Sequence, residues 1–209
     1  MQIKPLGTRL GAEIIDCDLH KLLTTTEQEL LHRAYLEHTL LLFRNQKIND
    51  DDLVRLSSIF GDLMLPPSQH ERASIQKSDT RREITVVSNV KVNDVPIGEL
   101  GDSEVIWHSD YSFKEVIGGM RVLHGILIPP AQAGGSTEFA NMYAAFDELS
   151  DDLKQYALTH SIKHDTNYDT NRSLRMGAKP TSDPREGNGP IHPMVSTRPE
   201  TGCNSLFLG

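Results

Sequence analysis

The chain has 209 residues, 37% of them apolar, and 29 acidic against 21 basic side chains give a net charge of −8. That length suits one domain with a core of its own, and the acidic balance without a long basic block argues against nucleic acid as a partner. No apolar run approaches the ~20 residues of a membrane span, the N-terminus lacks a secretory layout, and two cysteines, Cys17 and Cys203, make no disulfide framework.

In chain order, TTTEQELLHRAYLEH (24–38) opens with Thr24 and Glu27 at capping-box spacing, and Leu30, Leu31, Ala34 and Tyr35 recur at helical intervals. TLLLFR (39–44) reads as a short buried strand. DDDLVRLSSIF (50–60) reads as a second helix with acids in its first turn and Gly61 as its stop. The stretch LPPSQHERASIQKSDTRRE (65–83) has the composition of a surface loop, and EITVVSNV (83–90), rich in β-branched residues, that of a strand. NDVPIGELGDSE (93–104) is turn-rich. VLHGILI (122–128) reads as a further strand, AQAGGST (131–137) as a tight loop, and FANMYAAFDELSDDLKQYAL (139–158) as helical. Residues 165–190 have loop composition, and HPMVSTRPETGCNSLFLG (192–209) reads as two strands about the turn RPETG. Short strands with a few helices imply a mainly β, α+β domain rather than alternating βαβ units.

The chemistry concentrates in WHSDYSF (107–113). Residues two apart in an extended segment face the same side, so His108 and Asp110 can present an imidazole nitrogen and a carboxylate oxygen to one point. Two histidines and one carboxylate form the facial triad of non-heme iron(II) oxygenases. The dipeptide spacing alone leaves open a surface or hydrogen-bonded pair. His160 and His164, in HSIKH, would share a face if helical, but with no third donor they read more readily as surface residues. His124 reads as a strand residue near the core. Arg172, Arg175 and Arg198 have no marked spacing.

Six stretches widen the pattern: PLGTRLGAEI (5–14), LLFRNQ (41–46), FGDL (60–63), PIGELGDSEVIWHSDYSF (96–113), GGSTEFANMYAA (134–145) and HPMVSTRPETG (192–202). In this order they resemble the TauD/TfdA family of iron(II)- and 2-oxoglutarate-dependent dioxygenases over nearly the whole chain. The resemblance implies one double-stranded β-helix domain, a cupin-like jelly roll with helices outside. It implies His108 and Asp110 as iron ligands and Thr137 as support for the 2-oxoglutarate cosubstrate. Trp107, Asn89 and His70 would line the substrate pocket. The implied reaction joins O2, 2-oxoglutarate and a small, anionic organic substrate, releasing succinate and CO2.

The family's third iron ligand, a histidine well beyond the HP motif at His192, has no match before Gly209. Nor has the later arginine that pairs with the far carboxylate of 2-oxoglutarate. The chain therefore reads as shortened relative to the family. A cytoplasmic homo-oligomer is expected, since self-association would cover open strand edges. The competing reading is a catalytically incomplete jelly roll that binds a metal or a small acid, or serves as an assembly subunit. A zinc hydrolase built on HSIKH lacks the helical glutamate beside its histidines.

Overall fold

Strand β1 (Gln2–Pro5) turns back into β2 (Ala12–Ile15), and the two pair antiparallel from Gln2↔Ile15 to Pro5↔Ala12 in the computed structural model, which describes residues 1–65, 81–100, 106–168, 174 and 178–209. Helix α1 (Thr25–His38) starts where Thr24 accepts from the Glu27 amide while the Glu27 carboxylate takes the Thr24 amide at 2.8 Å. Such a cap contributes about 1 kcal/mol. The helix ends at Thr39 in the left-handed region (φ 61°), whose amide reaches the Tyr35 carbonyl. The chain then enters β3 (Leu41–Leu42), parallel to β2. This strand is shorter and only half-buried compared with the expected TLLLFR strand.

Helix α2 (Asp50–Ser58) repeats the capping device with Asn49 and Asp52. Asp52 is nonetheless buried, with one carboxylate oxygen 2.7 Å from His20 Nδ1 and the other 2.7 Å from the Arg55 guanidinium. Arg55 also donates to the carbonyls of Leu19 and His20. These partners and the Asn49 amide hold the Asp52 carboxyl down at about 2, the His20 hydrogen bond most of all. Ile14, Cys17, Leu19, Leu31, Ala34 and Leu56 form the core beneath this network. Leu31 is fully enclosed, a burial that stabilises by roughly 1.5–3 kcal/mol. Cys17 is a free thiol whose pKa burial pushes up.

Next come β4 (Val87–Ser88), β5 (Lys91–Val92), β6 (Val95–Pro96) and β7 (Glu99–Leu100). β5 and β6 form a hairpin about Asn93 and Asp94, both left-handed (φ 51° and 62°), as a two-residue turn demands. β4 pairs parallel with β7, so the strand expected over 83–90 narrows to two residues.

Residues 122–128 depart from expectation. VLHGILI forms no strand, and Leu123, Ile126, Leu127 and Ile128 are 70–86% exposed; only Val122 reaches the N-terminal core. A strand needs a neighbour for its amides and carbonyls, and no described strand pairs with this one.

After the turn at Ala131–Ala133, where Gly134 and Gly135 take φ of 78° and 80°, helices α3 (Met142–Asp147) and α4 (Asp151–Thr159) lead to β8 (Ser161–Lys163). β8 pairs with β9 (Ile191–Pro193), and β10 (Val195–Thr197) with β11 (Asn204–Leu206). The two-strand reading of the last stretch holds for β10 and β11, while β9 adds a third. Phe146, Ala157 and Val195 make a second, smaller core here. The fold thus mixes helices with one three-stranded sheet and four two-stranded sheets among the described residues. No described helix is long and apolar enough to cross a membrane.

Candidate active site

WHSDYSF is not a strand. It runs as irregular chain through Ser109 and then turns, with Tyr111 in the left-handed region (φ 57°) and the Lys114 amide closing on the Tyr111 carbonyl at 2.9 Å. The turn still brings the expected pair together. His108 Nε2 lies 3.2 Å from Asp110 Oδ1, and His108 Nδ1 lies 2.8 Å from the Ile106 carbonyl. A carbonyl only accepts, so Nδ1 carries a hydrogen and it is Nε2 that faces the carboxylate. A protonated ring donates from Nε2 to the carboxylate as an ion pair, and a neutral ring leaves two acceptors that one cation would satisfy. Two metal bonds of about 2.1 Å at a right angle would set their donors about 3.0 Å apart. The 3.2 Å separation therefore fits adjacent ligands of one ion.

The segment is anchored from elsewhere. The Ser109 amide donates to the Gly209 carbonyl at 3.0 Å, and His192 Nε2 donates to the Lys114 carbonyl at 2.9 Å. The Tyr35 hydroxyl on α1 donates to the Gly119 carbonyl at 2.6 Å. The other oxygen of Asp110, Oδ2, is ion-paired with Arg121, 2.9 Å from its Nε. Nothing in the sequence marked Arg121: it stands alone between a diglycine and an apolar run.

Other candidates are scattered. Trp107 is 64% exposed, Asn89 and Thr137 are exposed, and neither of the latter two shares a hydrogen bond with the pair. His70, Arg172 and Arg175 lie outside the described residues. His124 is half-buried in irregular chain rather than in a strand. Arg198 spreads over the Tyr35 ring, 4.5 Å from its centroid.

The expectation of two surface histidines in HSIKH holds only for His160, which stacks on Tyr156 at 3.8 Å, whereas His164 is buried against His192 and Phe207. The segment between them is strand β8, not helix, which also rules out a shared helical face. Burial and then the neighbouring His192 depress the His164 pKa, and its Nε2 is buried without a hydrogen-bond partner. Among the described residues no third histidine, cysteine or carboxylate joins His108 and Asp110.

The family model for the taurine catabolism dioxygenase TauD, TfdA family matches residues 2–209. The chain belongs to the TauD/TfdA family. Pentalenolactone F synthase of Streptomyces avermitilis is 29% identical over 215 residues, covering 96% of this chain and 68% of that protein. The alpha-ketoglutarate-dependent 2,4-dichlorophenoxyacetate dioxygenase of Cupriavidus pinatubonensis is 29% identical over 216 residues, covering 98% of this chain and 72% of that one. The crystal structure of AAD-2 in complex with Mn(II) and N-oxalylglycine superposes with a TM-score of 0.66 at 22% identity, over all of this chain and 69% of its own. The chain thus has the fold of these proteins and spans about two thirds of their length. TauD/TfdA proteins are iron(II)- and 2-oxoglutarate-dependent dioxygenases of small organic molecules, and the resemblance read from the sequence motifs is borne out.

Proposed function

We propose that this chain oxidises, by hydroxylation, a small organic anion with 2-oxoglutarate and O2 as cosubstrates, and that His108 and Asp110 hold the iron(II). The observation that carries the reading is His108 Nε2 set 3.2 Å from Asp110 Oδ1 while Nδ1 is engaged by a backbone carbonyl. When bound, the metal supplies oxygen activation, coupling oxidative decarboxylation of 2-oxoglutarate to oxidation of a substrate C–H bond.

The residues prepare that chemistry. The Ile106 carbonyl, accepting from Nδ1, orients the His108 ring with Nε2 toward Asp110. One carboxylate beside neutral imidazole leaves a divalent ion with net positive charge, which favours an anionic 2-oxo acid. The Ser109 amide, tied to Gly209, holds the middle of the motif fixed. Thr137 would donate its hydroxyl to 2-oxoglutarate, the two left-handed glycines before it allowing the loop to come close. Trp107, Asn89 and His70 are assigned to the substrate side, and the short strands to one double-stranded β-helix domain. A cytoplasmic homo-oligomer completes the reading.

The test is an anaerobic titration of the 209-residue chain with Fe(II) and 2-oxoglutarate, following the visible charge-transfer band of the chelate, with succinate measured after air is admitted. A saturating band and succinate, both lost in His108→Ala, are expected. Turnover that survives His108→Ala would remove the ligand assignment. No band in the parent chain would favour the second reading, an incomplete binder, whose support is the two-donor count among the described residues.

A further inference from the structure

The geometry points to Arg121 as a positioning residue for the metal site: we propose that it locks the Asp110 carboxylate so that a single oxygen, Oδ1, is offered to the ion beside His108. This rests on the reading of His108 and Asp110 as ligands. The two oxygens of Asp110 have different partners. Oδ1 faces His108 Nε2 at 3.2 Å, whereas Oδ2 is ion-paired with Arg121, 2.9 Å from its Nε. A free carboxylate rotates and can chelate through both oxygens. One whose second oxygen is held by a guanidinium is restricted to one metal bond, leaving the neighbouring coordination position open for a cosubstrate.

Arg121 is itself braced. Its guanidinium lies over the Tyr111 ring, 5.1 Å from the centroid. That ring is placed by the left-handed turn at Tyr111 and by an edge-on contact with Phe113 at 5.9 Å. The residue after the ligand thus carries the platform on which the ligand's partner rests, so turn, ring, guanidinium and carboxylate form one closed unit. The guanidinium also repels a cation, and this opposes binding. The Arg121 side chain is 52% exposed, so water screens the repulsion and the ion pair alike, and the 2.9 Å contact braced on Tyr111 is what orients the carboxylate.

The experiment measures Mn(II) affinity of the 209-residue chain from loss of the free ion's paramagnetic resonance signal, for the parent, Arg121→Gln, Arg121→Lys and His108→Ala. Arg121→Gln is expected to weaken binding by about ten- to a hundredfold, the usual effect of removing an outer partner of a ligand. Arg121→Lys should recover part of the loss, because an ammonium keeps the charge but not the planar stack on Tyr111. Thermal melts of both Arg121 variants should match the parent, since the side chain is half-exposed. If Arg121→Gln binds Mn(II) as tightly as the parent or more tightly, while His108→Ala loses it, the positioning role is wrong and the ligand assignment stands. If His108→Ala binds like the parent, or the parent does not bind, the ligand assignment fails and takes the role of Arg121 with it.

Discussion

The N-terminal unit of β1, β2, β3, α1 and α2 and the segment from Ile106 to Phe139 are built on different principles. The first is local: each helix carries its own capping box, and its apolar stripe closes over one core. The second contains no strand and no α-helix, and its shape depends on distant partners, namely Gly209, His192 and Tyr35. Its apolar side chains, from Trp107 to Ile128, remain largely exposed. The His108–Asp110 pair sits on the second kind of structure, which fits a general division in which rigid elements carry stability and connecting segments carry function.

Core truncation is the strongest way to test this division. Leu31→Ala should cost about 2–5 kcal/mol in denaturant unfolding, as a fully enclosed side chain leaves a cavity. Asp52→Asn should lower the melting temperature at neutral pH by a smaller amount. Because the folded pKa of Asp52, about 2, lies below its ordinary 3.8, its contribution is complete above pH 3.8 and disappears as pH falls towards 2. Parent and variant should therefore converge in melts at strongly acid pH.

His164 sets a contrasting window. Its pKa is depressed from 6.5, so the unfolded chain takes up the proton first and stability falls as pH drops below 6.5. In His164→Phe that mildly acid loss should be reduced; an unchanged pH dependence between 7 and 5 would place the sensitivity elsewhere. The smallest effect belongs to Ile126→Ser, at a side chain 86% exposed, expected within about 0.5 kcal/mol of the parent by the same unfolding measurement. A large loss there would mean that residues 122–128 are covered in solution, and the contrast between the two regions would weaken.

The same contrast explains what was legible in the residues. Thr24 with Glu27 announced α1 because a capping box is complete within four residues, and RPETG announced the β10–β11 turn for the same reason. The His108–Asp110 pair was legible as a spacing, although a turn rather than an extended strand brings it together. VLHGILI has the composition of a strand, but composition does not supply a partner for its backbone. Arg121 and His164 were out of reach: an ion pair across eleven positions and a histidine buried by residues 28 and 43 positions away leave no local pattern.

The Tyr35 hydroxyl, bonded to the Gly119 carbonyl, gives the motif segment a mechanical anchor on α1, whose Leu31 and Ala34 are buried in the N-terminal core. The stretch between Asp110 and Arg121 cannot peel outward without breaking that bond or fraying the last turn of α1. Opening of the segment and fraying of the helix end therefore share part of one free-energy barrier, and amide exchange at both places should slow or quicken together.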